Sequence, residues 1–534
     1  MADRNTKTQQ VRRARATAAE VFGHTDLHPG QEEAMEAVLE GRDVLLVSPT
    51  GSGKSLAYQV PGVLLEGCTV VVSPLLALQR DQIEGLAEGG DDRTRAVRLS
   101  SAEGESQQQD ALERLRQGQA EFVFLAPEQL ARPDRRRELA ELRPSLVAVD
   151  EAHCVSSWGH DFRPDYLRLG ELIDDLGHPQ VVALTATAAP PVRDDIVERL
   201  HLRESRTIVT GFERPDISLR VLRCTSAHAQ REEAVQLVGG SEGPGIVYCR
   251  TRKATEDYAQ TLADKGIRAV AYHAGLRKKQ REEAQHRFMD DDVDVIVATS
   301  AFGMGIDKPD IRLVVHAQVP ESPDTYYQEL GRAGRDGEPA EAVLLYRPED
   351  LSLGRFFTGA VPKRDDVDPV VAALADGVDR DEVRRRTGLG PRKLARILNL
   401  VDEVSAHEPA DLAAAVVERA EAHRSLERSR VEMMRRYAET DRCRWQFLLG
   451  YFGAESRELC GHCDSCERGT GVDEPDTGAS RPDAYRLGAH VSHPEFGEGT
   501  VMDLEQDRVT VLFEDAGYRT LALDIVESEG LLSG

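Results

Sequence analysis

Residues 49–55 read PTGSGKS and follow an apolar run, DVLLVS, at 43–48. A buried strand feeding a glycine-containing loop at the start of a helix makes an anion site from backbone N–H groups and the helix N-terminus. Gly51 and Gly53, flanking Ser52, let the backbone approach a phosphate closely. Lys54 is placed to reach β- and γ-phosphates, and the Ser55 hydroxyl to ligate Mg²⁺. The strict phosphate-loop pattern is not met, because Ser48 stands where its first glycine would be. Further along, residues 146–153 read LVAVDEAH. Asp150 would hold Mg²⁺ through water, Glu151 would polarise an attacking water, and His153 would couple nucleotide state to the rest of the chain. An acidic tetrapeptide alone is weak evidence. At the end of an apolar strand, downstream of GSGKS, it predicts binding and hydrolysis of a nucleoside triphosphate.

A second constellation lies near the C-terminus. Cys443, Cys460, Cys463 and Cys466 have the spacing C-x16-C-x2-C-x2-C, which suits a tetrahedral four-thiolate zinc site. A closed shell of four thiolates leaves no open position for chemistry, so this zinc is expected to be structural. His462 sits inside the knuckle as an alternative donor, and disulfides are the competing reading. Cys68, Cys154, Cys224 and Cys249 stand singly in apolar surroundings and read as buried thiols. A third cluster is basic: Arg384, Arg385, Arg386, Arg392, Lys393 and Arg396 occur with no acid between the first and the last. Contact with DNA is the functional reading, and a solvated face of a packing element is the other.

The elements that must position these groups follow from the patterning. From Val44 to Val209, apolar strands alternate with amphipathic helices, and the alternation begins again at Gly245. Two such series predict two tandem RecA-like α/β lobes, each with a parallel sheet, and ATP in the cleft between them. Lobe one is expected over 1–208 and lobe two over 209–352. Residues 353–408 read as a helix-turn-helix or winged-helix-like insert turning at Gly388–Gly390, and 409–468 as a helical zinc module. Residues 469–484 are a Gly/Pro/Asp-rich linker, and the short alternating strands of 485–534 predict a small antiparallel β-barrel.

With 534 residues the chain is long enough for three or four domains. No run approaches the ~18 apolar residues that span a bilayer, and the polar N-terminus has no signal-peptide core, which predicts a cytoplasmic enzyme. A net charge of −26 argues against nonspecific nucleic-acid binding by the whole surface, though not against a local basic groove.

The segment Asp150–Tyr166, DEAHCVSSWGHDFRPDY, closely resembles RecQ-type DNA helicases of superfamily 2, and the resemblance runs from Phe22 to Cys466. It implies an ATP- and Mg²⁺-dependent 3′→5′ DNA helicase acting in repair or recombination, with an aromatic-rich loop that couples single-stranded DNA to ATP hydrolysis. Trp158, His160, Phe162 and Arg163 would carry that coupling, since bases stack on aromatic faces without regard to sequence. The resemblance extends to SPLLALQRDQ at 73–82, a DNA-contacting motif, and to LTATA at 184–188. In VIVATSAFGMGIDKPDIRLVVH, Thr299 and Ser300 would touch DNA phosphate and Asp307 the ribose. In YYQELGRAGRDGE, Arg332 and Arg335 would reach the γ-phosphate, with Arg335 the favoured finger. The adenine-side motif is similar to FGYxxFRPGQ but reads FGHTDLHPGQ here. Gln31 would read the adenine edge, with His24 and His28 in place of a tyrosine and an arginine.

A larger departure follows the zinc module. Many relatives place a winged helix there, yet only 68 residues follow Cys466. The insert, through Arg392 and Lys393, is therefore expected to take over part of the duplex binding. The terminal barrel resembles the Tudor-like tail of UvrD/PcrA-type helicases. From Glu467 onward it carries 15 acids against five basic residues, which predicts a protein partner rather than DNA. Forked or junction DNA, a bacterial nucleoid location and no membrane association complete the expectation. The competing functions are a translocase or annealing ATPase without robust unwinding, an RNA helicase, and a nucleotide-gated scaffold.

Overall fold

A computed structural model describes residues 2–533 apart from 89, 101–102, 157, 159–162, 304–307, 359, 406–410, 455–457, 472–485 and 506. The chain divides into two compact units. The first comprises Met1–Arg214 with Phe302–Pro309 and Gly334–Gly337, and the second holds the remainder.

The first unit is built on β1 (Val44–Val47), β2 (Thr69–Val72), β3 (Ala96–Leu99), β4 (Phe122–Leu125), β5 (Leu146–Val149), β6 (Gln180–Thr185) and β7 (Arg206–Val209). Their order is β3-β4-β2-β5-β6-β1-β7, every pair parallel. β1, β2, β4 and β5 are buried at every position, as a parallel sheet covered by helices on both faces requires. The order brings the carboxyl ends of β1 and β5 to either side of β6. Segments leaving those ends meet at one edge of the sheet, where open α/β sheets bind ligands. The helix Ala2–Phe22 packs Ala14 and Ala18 against Met35, Leu56 and Val60, and so borders the helix that follows the phosphate-loop segment.

The second unit holds β8 (Ile217–Arg223), β9 (Gly245–Tyr248), β10 (Ala269–Tyr272), β11 (Val295–Ala298), β12 (Leu313–His316) and β13 (Ala340–Tyr346). They form another all-parallel sheet in the order β10-β11-β9-β12-β13-β8. Helices Arg364–Ala375, Arg380–Thr387 and Pro391–Ser405 follow it. They close around Val367, Val370, Val383, Leu394 and Ile397. The turn between the last two begins at Gly388, whose φ of +65° is the left-handed cap that glycine adopts without strain. No strand flanks these helices among the described residues, so the wing of the expected winged helix is not present there.

Residues 412–439 form one continuous helix. Its first half completes the insert's core through Ala413, Val416 and Ala420. Its second half meets the remaining modules. Tyr437 lies against Tyr326 and Phe447, with ring centroids 5.0 and 5.7 Å away.

The last 45 residues form a four-stranded antiparallel sheet, β14 (His490–His493), β15 (Gly497–Leu504), β16 (Arg508–Phe513) and β17 (Gly517–Ala522), followed by the helix Leu523–Glu529. This is an open strand order, β14-β15-β16-β17, rather than a demonstrated barrel. The sheet is docked on the long helix. The Tyr518 amide donates to Ser429 Oγ at 2.9 Å, and Arg436 donates to Thr510 at 2.9 Å and to Glu505 at 2.5 Å. Arg442 pairs with Asp503 at 2.9 Å, and Tyr518 stacks on Tyr451 at 5.0 Å.

Candidate functional site

The phosphate-loop segment leaves β1 and is held from three sides. Ser48 N donates to Thr185 O at the end of β6, and Thr210 Oγ1 donates to Ser48 Oγ at 2.8 Å. Ser48 Oγ reaches Ser52 Oγ at 2.8 Å. The residue that breaks the usual pattern thus braces the loop through its hydroxyl. Gly51 and Gly53 have φ of +82° and +67°, which explains glycine at both positions. Lys54 curls back, its ammonium donating to Ser48 O and Pro49 O at 3.0 Å each. Burial pushes the Lys54 ammonium below its ordinary range, opposed by the charges of Glu151 and Asp150.

Gln31 is engaged with the phosphate-loop segment. Its Nε2 donates to Ser52 O at 2.7 Å and Gly53 O at 3.0 Å, and its Oε1 accepts from His28 N at 2.9 Å. Its amide is turned onto the loop, while His24 and His28 stay exposed. A Cβ on Gly53 would stand 2.7 Å from Gln31 Nε2, so glycine at 53 also admits this contact.

Asp150 and Glu151 emerge from β5. Asp150 is buried, and that burial with the neighbouring Glu151 charge raises its carboxyl to about 6 against the pull of Lys54. Glu151 N donates to Asp150 Oδ1 at 3.0 Å. Glu151 adopts a left-handed backbone, φ +49° and ψ +47°, a conformation that costs a non-glycine residue about 1–2 kcal/mol. The turn aims its carboxylate at His153 Nδ1, 3.3 Å away, and the same imidazole nitrogen lies 3.0 Å from Thr185 Oγ1. His153 therefore links the acidic motif to the LTATA segment. A further contact comes from Gln82, whose Nε2 donates to Asp150 Oδ2 at 3.1 Å. Glutamine inside a helix carries no sequence signal for such a role.

Of the two arginines, Arg335 belongs to the first unit, where its Cγ lies 3.3 Å from the position a Cβ on Gly51 would take. Arg332 belongs to the second unit and is buried. Arg163 Nη1 donates to Pro74 O at 3.2 Å, tying the aromatic-rich segment to the SPLLALQRDQ stretch, and Trp158 N donates to Ser156 Oγ at 3.1 Å. His160, Phe162 and Asp307 lie outside the described residues. Thr299 and Ser300 border a small polar cavity with Arg250, His316 and Glu329.

Three of the six basic residues of the insert's cluster pair with acids of its own fold. Arg385 pairs with Glu382 at 2.7 Å, Arg386 with Asp376 at 2.7 Å, and Lys393 with Asp366 at 2.7 Å. The acids come from other helices or earlier turns, which a run read along the chain does not reveal. Arg392 remains exposed.

The four cysteines converge as the spacing predicts, their Sγ atoms all within 4.8 Å of one another. Cys443 caps the helix Arg444–Tyr451, and Cys463 caps Asp464–Glu467. The Cys460–Cys466 and Cys443–Cys463 Sγ separations are 3.8 and 4.0 Å. A tetrahedron with Zn–S bonds of about 2.3 Å has edges of roughly 3.8 Å, whereas a disulfide needs about 2 Å. The donor set fits zinc. His462 is not among the converging donors, its Nδ1 lying 2.5 Å from Cys460 O. Arg444 and Asp464, buried and paired at 2.8 Å, fasten the knuckle, and Asp464 Oδ2 also accepts from Val221 N at 3.2 Å on β8.

Family models match three stretches of the chain: DEAD/DEAH box helicase over 28–196, helicase conserved C-terminal domain over 229–337, and RecQ zinc-binding over 395–467. The chain is 35% identical over 458 residues to the ATP-dependent DNA helicase RecQ of Bacillus subtilis, covering 85% of this chain and 67% of that one. It is 40% identical over 383 residues to the probable ATP-dependent DNA helicase RecS of the same organism, covering 71% and 75%. Against RecQ of Pasteurella multocida it is 36% identical over 448 residues but spans 61% of that relative's length. Among solved structures, Mycobacterium smegmatis helicase Lhr bound to ssDNA and AMP-PNP aligns with a TM-score of 0.51 at 23% identity, covering 73% of this chain and 57% of that one. Saccharomyces cerevisiae Dbp5 bound to RNA and ADP BeF3 aligns at 0.52 with 18% identity, covering 63% and 88%. At these identities the likeness is one of fold.

Proposed function

The chain belongs to the RecQ family of ATP-dependent DNA helicases, and from that premise we propose how its own residues divide the work. Gly51, Ser52, Gly53 and Lys54 would cradle the triphosphate, with Lys54 leaving the carbonyls of Ser48 and Pro49 for the β- and γ-phosphates. Ser55 and the buried Asp150 would hold Mg²⁺, whose charge supports that developing on the phosphoryl oxygens. Glu151 would orient the attacking water. Arg335, beside Gly51, would complete the positive surround of the γ-phosphate. The observation that carries this reading is that Asp150, Glu151 and Arg335 all surround Lys54 within the first unit, with Arg335 against Gly51 of the same loop.

Single-stranded DNA would run past Trp158, Arg163, Thr299 and Ser300, with translocation 3′→5′ and forked or junction DNA as substrate. His24 and His28 would flank the base, and Gln31 would leave the loop carbonyls when adenine arrives. The zinc would be structural. The insert would touch duplex through Arg392, with Lys393 available only on release from Asp366. The terminal sheet, read as a small Tudor-like barrel, would offer exposed acids such as Glu495, Glu498, Glu514 and Asp515 to a protein partner.

The test runs ATP hydrolysis and strand separation in parallel on a 3′-tailed duplex, a 5′-tailed duplex and an RNA match, with Lys54→Ala beside them. Hydrolysis stimulated by single-stranded DNA, with separation of the 3′-tailed duplex alone, is expected. Stimulated hydrolysis without separation would replace this reading with a translocase.

A further inference from the structure

Gln82 is shared between two jobs. It ends the SPLLALQRDQ stretch and lies on the helix Leu76–Glu88. Its Nε2 donates to Asp150 Oδ2 at 3.1 Å. Its Oε1 is buried and has no hydrogen-bond partner among the described residues. The opposite end of the same stretch is gripped by Arg163, which donates to Pro74 O at 3.2 Å and whose own amide is tied to Cys154 O at 3.0 Å. Between these, Gln79 Nε2 donates to Ser73 O at 2.9 Å and stiffens the entry into the helix. The stretch is thus pinned to the aromatic-rich segment at one end and to the carboxylate of Asp150 at the other, within one unit.

We propose that Gln82 is a positioning residue of the magnesium site that makes the orientation of Asp150 depend on the placement of the SPLLALQRDQ stretch. The proposal rests on the reading of Asp150 as a holder of Mg²⁺. An ionised carboxylate accepts from several donors at once, and here Oδ1 is fixed by the Glu151 amide and Oδ2 by Gln82. The amide oxygen of Gln82, otherwise unsatisfied, is of the right type to accept a hydrogen bond from water bound to the ion. An unsatisfied buried carbonyl is costly unless such a partner arrives. A strand of DNA that displaces the stretch would move the Gln82 amide, and with it the carboxylate. Single-strand binding and metal binding are then coupled by two hydrogen bonds on one side chain.

The experiment compares Gln82→Met, which keeps length and bulk, and Gln82→Ala with wild type and with Asp150→Asn. Binding of a fluorescent ADP analogue is measured in EDTA and across a magnesium titration, with and without oligo-dT. Outer partners of metal ligands usually matter by 10–100-fold, so both Gln82 variants are expected to raise the half-saturating magnesium concentration roughly tenfold or more. Nucleotide affinity in EDTA should stay unchanged, and oligo-dT should no longer alter the magnesium requirement. A packing role alone would lower thermal stability without moving the magnesium titration, and that result overturns the proposal. If Asp150→Asn also leaves the titration unmoved, the magnesium assignment itself fails. If Asp150→Asn shifts it and Gln82→Met does not, only the role of Gln82 fails.

Discussion

Glu151 shows what a single residue contributes, because its backbone and its side chain are both committed. The left-handed turn at φ +49° goes with a carboxylate set 3.3 Å from His153 Nδ1. Replacing it by Gln keeps the shape and removes the charge. Glu151→Gln is expected to lower single-turnover ATP hydrolysis by about 10²–10⁴-fold while ATP binding, followed by fluorescence, stays intact. Arg335→Ala should lower kcat by about 10³–10⁵-fold, and Arg332→Ala by far less, if the arginine beside Gly51 is the finger. A steady-state comparison of the two variants decides between them. Lys54, Asp150 and Glu151 could be read from the sequence because each sits in a motif whose spacing is local. The contact between Gln82 and Asp150 could not, since it joins distant positions through a side chain that serves as an ordinary helix residue elsewhere. The pairing of Lys393 with Asp366 was hidden for the same reason.

The element that joins the insert to the motor is the helix Leu412–Glu439, and Glu403 is one of its fastenings. Glu403 lies on the preceding helix and is buried. Arg419 donates to it at 2.6 Å, and His423 lies 3.2 Å away. Burial pushes this carboxyl up, but the hydrogen bond and charge of His423 and the charge of Arg419 prevail and hold it down at about 2. A carboxyl displaced downward stabilises the fold above its unfolded value near 4.5, and that contribution fades as pH falls toward 2. The displacement corresponds to up to about 3 kcal/mol. Glu403→Gln is therefore expected to lower unfolding free energy at pH 7 by an amount of that order. The gap from wild type should narrow steadily below about pH 4.5, measured by urea titration at each pH. At this scale the strands were the most legible elements, because fully buried runs such as Leu146–Val149 have few alternatives. The docking of the terminal sheet was not legible. It depends on Ser429, Arg436 and Arg442, polar residues that a sequence assigns to solvent.

For the whole molecule, the terminal sheet is an integral part of the second unit. A Cβ on Gly517 would stand 2.4 Å from Ser429 Oγ and 2.9 Å from Leu426 Cα, and the φ of Gly517 is +72°. Gly517→Ala has no room on either count. It should cost about 1–3 kcal/mol and free residues 486–534 for limited proteolysis, while the zinc content measured on the intact variant stays at one per chain. The helix Leu412–Glu439 carries the insert's core on its first half and the sheet's anchors on its second. Its length therefore fixes a phase as well as a distance. Each added residue advances the helix by about 1.5 Å and turns everything beyond it by about 100°. Inserting one alanine after Ala422 should swing the insert to another bearing and abolish any duplex contact it makes. Inserting seven residues, close to two whole turns, should restore the bearing at a greater reach. Natural variation in this helix is then expected to arrive in such steps, as the teeth of a gear permit rotation only in whole counts.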